Sequence, residues 1–89
     1  MSDPLFPATP ALSRRFRLQY EEAQQSHVLL YPEGMVKLNG SAAEILKCCD
    51  GKTPVDQIIS DLETKFRATG LRPDIESLLT HAYQHKWIE

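Results

Sequence analysis

The sequence predicts an α+β fold: a three-stranded antiparallel sheet followed by a three-helix bundle, winged-helix-like but with the sheet placed first. Three observations predict it. Apolar and polar residues alternate with a period of two through "RRFRLQY", the signature of a half-buried strand. Two short apolar runs follow, "HVLLY" and "MVKL", separated only by "PEG". From Ser41 onward the apolar period changes to that of amphipathic helices. Three strands and three helices in 89 residues must share one core.

Residues 1–13 carry Pro4, Pro7 and Pro10 among small polar neighbours and read as a flexible arm. Leu5 and Phe6 could dock elsewhere, including on a second copy of the chain, so a homodimer formed by arm exchange is compatible with the sequence. The folded domain then spans residues 14–89. In its first strand Phe16, Leu18 and Tyr20 point one way, and Arg15, Arg17 and Gln19 the other. Pro32 and Gly34 form a tight turn between strands two and three. Strands joined this closely form an antiparallel meander.

Ser41 and Glu44 have the spacing of a capping box for the first helix. Ala42, Ala43, Ile45, Leu46 and Cys49 follow on its inner side, and Gly51 suits the residue that ends it. "TPVD" offers Thr53 as N-cap and Pro54 at the first helical position. Val55, Ile58, Ile59, Leu62 and Phe66 then form one stripe. "RPD" opens the third helix, with Ile75, Leu78, Leu79, Ala82 and Tyr83 inward, and Trp87 and Ile88 close the chain as an apolar plug.

Composition excludes several classes of function. A net charge of −2 gives no footprint for nucleic acid or an anionic membrane surface. No apolar run approaches the roughly 20 residues of a membrane span, and the first residues lack the form of a secretory signal. Two adjacent cysteines cannot build a disulfide framework, which points to a cytoplasmic protein with reduced thiols. Cys48 and Cys49 project about 100° apart on a helix and have no histidine near them in sequence. Cys49 reads as core filling. His81 and His85 have metal-ligand spacing, but no third ligand completes a set. No nucleophile, base and orienting group assemble, so neither catalysis nor a cofactor is expected.

Two binding readings remain. Helices two and three look like a helix-turn-helix, which suggests a winged-helix DNA-binding regulator as the alternative. Its reading helix, however, begins with Asp74 and Glu76 where phosphate would lie. The favoured reading uses the third strand, residues 35–38, as a sheet edge beside helix three. An extended peptide can add there as a fourth strand.

The residues "RRFRLQYEE", "VLLYPEGMVKLNGSAAEILKCCDGKTPVDQII" and "DIESLL" resemble the PqqD family of pyrroloquinoline quinone (PQQ) biosynthesis, over residues 14–88. The most specific block runs from Tyr31 to Gly51; Cys48 has no counterpart in the family's Cys-Asp-Gly ending. The resemblance implies a non-catalytic peptide chaperone. It would bind the precursor peptide PqqA and present it to the radical-SAM enzyme PqqE, which cross-links a glutamate and a tyrosine of that peptide. It further implies that the leader adds beside strand three, in the cleft to helix three. The expected site is then Met35, Val36, Lys37 and Leu38 on the strand, with Ile75, Leu78, Leu79, Ala82 and His85 on the helix. Val36 and Leu38, or their backbone, are expected to pair with the leader, and His81 and His85 to form the rim.

Overall fold

The computed structural model describes residues 6–89. Its elements follow the expected order: β1 (Arg17–Glu21), β2 (Ser26–Tyr31), β3 (Gly34–Lys37), α1 (Gly40–Lys47), α2 (Val55–Phe66) and α3 (Arg72–Gln84). The sheet is antiparallel with order β1-β2-β3, so β2 is central and the other two strands are edges. The winged-helix-like α+β architecture read from the sequence is the one observed.

Register decides which side chains meet the helices. Leu18 stands opposite Leu29, and Leu29 opposite Val36. Leu29 is fully buried in the core, with Leu18 and Val36 packed against it. Burying a leucine of this kind is worth about 1.5–3 kcal/mol. The helix α1 touches β1, β2, α2 and α3, so it is the centre of the bundle. Its Ala42, Ala43, Ile45 and Leu46 are buried, and small alanines let the elements approach closely. Val55, Ile58, Ile59 and Leu62 bury the expected stripe of α2, and Ile75, Leu79 and Ala82 that of α3.

Several local expectations need correction. The N-cap of α1 is Asn39, whose Oδ1 accepts from the Ala42 amide at 2.7 Å. Ser41 therefore lies inside the first turn. Two cap-forming residues sit two positions apart here, and the one directly after the buried Leu38 takes the role. Thr53 is not a cap either. Its amide and hydroxyl both donate to Asp50, at 2.9 and 3.0 Å, and Pro54 occupies the cap position of α2 without a side-chain bond. Three aromatics expected inside are half exposed: Tyr20, Phe66 and Tyr83. Tyr20 lies towards the β1–β2 hairpin and meets His27 edge-on at 5.1 Å. Phe66 is the last residue of α2, where Arg67 turns left-handed (φ 51°). Tyr83 is eight residues beyond Ile75, about 80° around the helix from it.

Of the segment read as an arm, Leu5 lies outside the described residues, and Phe6 packs against the core. From Ala8 onward the backbone is hydrogen-bonded to the domain. The Val55 amide donates to Ala8, the Gly51 amide to Pro10, and Leu12 to Cys49. Ala11 and Glu89 exchange two bonds, at 2.9 and 2.8 Å, and Ser13 donates to Trp87. Residues 8–13 thus tie the α1–α2 loop to the chain's last residues. Exchange of this segment between copies would have to break those bonds.

Candidate functional site

Among the described residues no strand pairs with the outer side of β3, and the register tells which of its groups are free. The Leu38 amide donates to the His27 carbonyl at 3.0 Å. In an antiparallel pair, hydrogen-bonded and non-hydrogen-bonded positions alternate. The pairs Leu29–Val36 and Tyr31–Gly34 are therefore bonded like His27–Leu38, whereas Val28–Lys37 and Leu30–Met35 are not. It follows that the N–H and C=O of Met35 and of Lys37 point away from β2, along the free edge. Val36 and Leu38 spend their backbone groups on β2. This reverses the expectation that their backbone would meet a peptide.

Side chains divide the same way. Met35 is 50% exposed, and Lys37 is exposed beside it on the sheet's outer face. Leu38 is only 5% exposed and belongs to the core. Val36 is partly buried on the helix-facing side.

Two clefts locate α3 relative to this edge. The larger, of about 620 Å³, is lined by His27, mostly by α1 and α2 (Gly40, Glu44, Lys65 and Phe66 among them), and by Leu71, Asp74 and Ile75 at the start of α3. The smaller, of about 450 Å³, joins Tyr31, Pro32 and Glu33, just before β3, to His85 and Lys86 at the end of α3. The helix α3, packed on α1, therefore runs in the opposite direction to β3, with a cleft at each end. Leu71, Asp74, Leu78 and His85 recur at three-, four- and seven-residue steps, so they form the flank of α3 that borders both clefts.

Of the helix residues expected at the site, Leu79 and Ala82 are 0% exposed and serve the core. Ile75 is buried as well, yet it lines the larger cleft. Leu78 is half-buried and His85 exposed. The His85 ring lies 4.2 Å from that of His81 and 5.9 Å from Trp87, which closes this end of the flank. The sequence reading missed His27, Phe66, Leu71 and Asp74. The last two were accessible by extending the Leu78 flank backward by one helical repeat.

Neither cysteine is activated. Burial pushes the Cys49 thiol up to about 12, and burial likewise raises Cys48. Each thiol contacts a carbonyl one turn back, Ile45 for Cys49 and Glu44 for Cys48. A reactive thiol needs the opposite shift. At the start of α3, Arg72 is held by Asp56 (2.8 Å) and Glu76 (3.0 Å), which occupy the cation a DNA reader would need there. Among the described residues no three metal-ligating side chains cluster, and no helix is long and apolar enough to cross a membrane.

The geometry can be set beside known proteins. A family model described as coenzyme PQQ synthesis protein D (PqqD) matches residues 26–88. The chain is 52% identical over 89 residues to the PqqA binding protein of Acinetobacter baylyi, covering 99% of this chain and 89% of that one. It is 50% identical over 90 residues to the PqqA binding protein of Pseudomonas paraeruginosa, covering 100% and 98%. The solution NMR structure of the PqqD truncation of Methylobacterium extorquens PqqCD superposes with a TM-score of 0.77. It is 33% identical, with 94% of each chain covered. That truncation is described as a functional, stand-alone recognition element for ribosomally synthesised and post-translationally modified peptides. A match across most of the chain, at about half identity and with the same fold, leaves one conclusion: the chain belongs to the PqqD family of coenzyme PQQ synthesis proteins.

Proposed function

We propose that this chain is a non-catalytic binder of the precursor peptide PqqA in PQQ biosynthesis. It takes the peptide as a fourth strand along β3 and presents it to the radical-SAM enzyme PqqE. The relatives named as PqqA binding proteins support the choice of peptide. One structural observation carries the mode of binding: Met35 and Lys37 turn two N–H and two C=O groups to the open edge of β3.

Those four groups are satisfied by water in the free protein. An extended peptide replaces the water, each bond contributing about 0.5–1.5 kcal/mol net. Alternate peptide side chains then fall between β3 and α3, against Val36 and Leu78, or on the outer face beside Met35 and Lys37. Main-chain bonds supply affinity independent of sequence, and the flank supplies selection. Chemistry on the peptide falls to PqqE; the raised thiols of Cys48 and Cys49 have no part in it. Unpaired cysteines also fit a cytoplasmic place of action.

Titration of the isotopically labelled chain with PqqA tests this reading. The amides of Met35, Lys37, Leu78 and His85 are expected to shift. If saturating peptide leaves them in place, the edge is not the site. Presentation is tested separately by the rate at which PqqE cross-links PqqA, which should depend on added chain. An unchanged rate would remove that step from the proposal.

A further inference from the structure

The two clefts differ in charge as well as size. The one next to Gly34 is lined by three cations, Arg14, Arg15 and Lys86, against two carboxylates, Glu33 and Glu89. Among the described residues, neither arginine nor Lys86 is within 4 Å of a carboxylate. Both arginines and Lys86 are exposed. The cleft next to Gly40 is the reverse. Its one lysine, Lys65, is held by Glu44, which also binds Lys47 at 3.0 Å. Asp74 remains as the unengaged charge, over an apolar wall of Phe66, Leu71 and Ile75. The two clefts lie at opposite ends of α3, one taking Gly40 from just beyond β3 and the other Tyr31, Pro32 and Glu33 from just before it.

We propose that the edge of β3, running between these two clefts, has an electrical polarity that fixes where the bound peptide lies. It selects a stretch with a bulky apolar side chain at one end, for the wall of Phe66, Leu71 and Ile75, and a carboxylate at the other, for Arg14, Arg15 and Lys86. The inference rests on the strand-addition reading above and adds a register to it. The length follows from the helix. The 13 residues of α3 span about 20 Å at 1.5 Å per residue. A strand covers that distance in about six residues at ~3.3 Å each. The apolar anchor and the carboxylate are thus about six residues apart. Backbone bonds to Met35 and Lys37 cannot set this spacing, because slippage by two residues restores the same bonds. The end charges and the apolar wall can, since a slip of two residues moves a side chain by about 7 Å, out of reach of either cleft.

Exposed ion pairs are weak and salt-sensitive, so the effect on affinity is modest while the effect on position is large. The test uses the full chain and PqqA in which each carboxylate is neutralised in turn, Asp to Asn or Glu to Gln, at low salt. One particular neutralisation is expected to weaken binding about two- to fivefold. The same neutralisation should have no effect on an Arg14→Gln, Arg15→Gln, Lys86→Gln variant. A nitroxide placed beside that carboxylate should broaden the amides of Arg15 and Lys86 and spare those of Gly40 and Asp74. The proposal is overturned if no single neutralisation changes affinity, if the loss persists in the variant, or if the label broadens the Gly40 end. Should the variant fail to fold, the label on the unaltered chain decides alone. In each case the shifts of Met35 and Lys37 report separately on strand addition: shifts without charge coupling sink the polarity and leave the edge intact.

Discussion

A single carboxylate, Asp50, ties the α1–α2 connection together. Its Oδ1 accepts from the amides of Lys52 (2.8 Å) and Thr53 (2.9 Å), and its Oδ2 from the Thr53 hydroxyl. The two amides are the main reason its carboxyl titrates below the ordinary range. A carboxylate lowered in the folded state contributes stability that is fully present above its unfolded pKa, about 4. That contribution is lost as pH falls through the lower folded value. Replacing Asp50→Asn should therefore lower Tm at pH 7 and flatten the decline of Tm between about pH 5 and pH 2. Glu44, lowered by its bonds to Lys65 and Lys47, keeps part of that decline. Thermal melts across this range check it; an acid limb as steep in the variant as in the parent contradicts the role. At this scale the sequence was legible in kind more than in detail. Asn39, Ser41, Asp50 and Thr53 are all residues that bond to nearby backbone. Which of them caps and which ties a loop depends on where Leu38 and Cys49 are pulled into the core, and composition does not reveal that.

At the scale of elements, periodicity was a better guide. The stripe of Val55, Ile58, Ile59 and Leu62 is buried as its spacing demands. Phe66 continues the stripe in sequence but stands over a cleft, because the bundle ends before the helix does. For β3, alternation identified the two faces, yet not which backbone groups were free. That depends on the pairing phase with β2, set by the bond from Leu38 to His27. The phase makes a sharp contrast between neighbours. Val36→Pro removes a bonded amide and leaves the Leu29 carbonyl without its partner, at a cost of about 1–3 kcal/mol. Met35→Pro removes an outward amide that no strand uses, and proline is tolerated where an edge N–H faces solvent. Its cost to the fold is expected to be within about 0.5 kcal/mol. It should nevertheless weaken PqqA binding by about tenfold, the loss of one hydrogen bond and of close approach. Denaturant melts and calorimetry on the two variants separate these effects. A Met35→Pro chain that binds PqqA as well as the parent would exclude strand addition at this edge.

The whole molecule is organised by contacts between segments far apart in sequence. Residues 8–13 bridge the loop at Gly51 and the last residues of the chain, and the three prolines at 4, 7 and 10 concealed this role. His27 meets Asp74, and Tyr31 meets His85, only as walls of shared clefts. Periodicity reports each element's buried side; it carries nothing about which exposed flanks end up facing one another. The strand edge was therefore foreseeable, while the two unlike clefts beyond its ends were not. Under the proposed function β3 is the docking edge, with Met35 and Lys37 as its free positions. Amide hydrogen exchange tests it most directly. In the free chain, Val36 and Leu38 should exchange slowly and Met35 and Lys37 quickly. Saturating PqqA should slow Met35 and Lys37 at least tenfold while leaving Val36 and Leu38 slow. If Met35 and Lys37 exchange equally fast with and without bound PqqA, the peptide binds elsewhere and the claim fails.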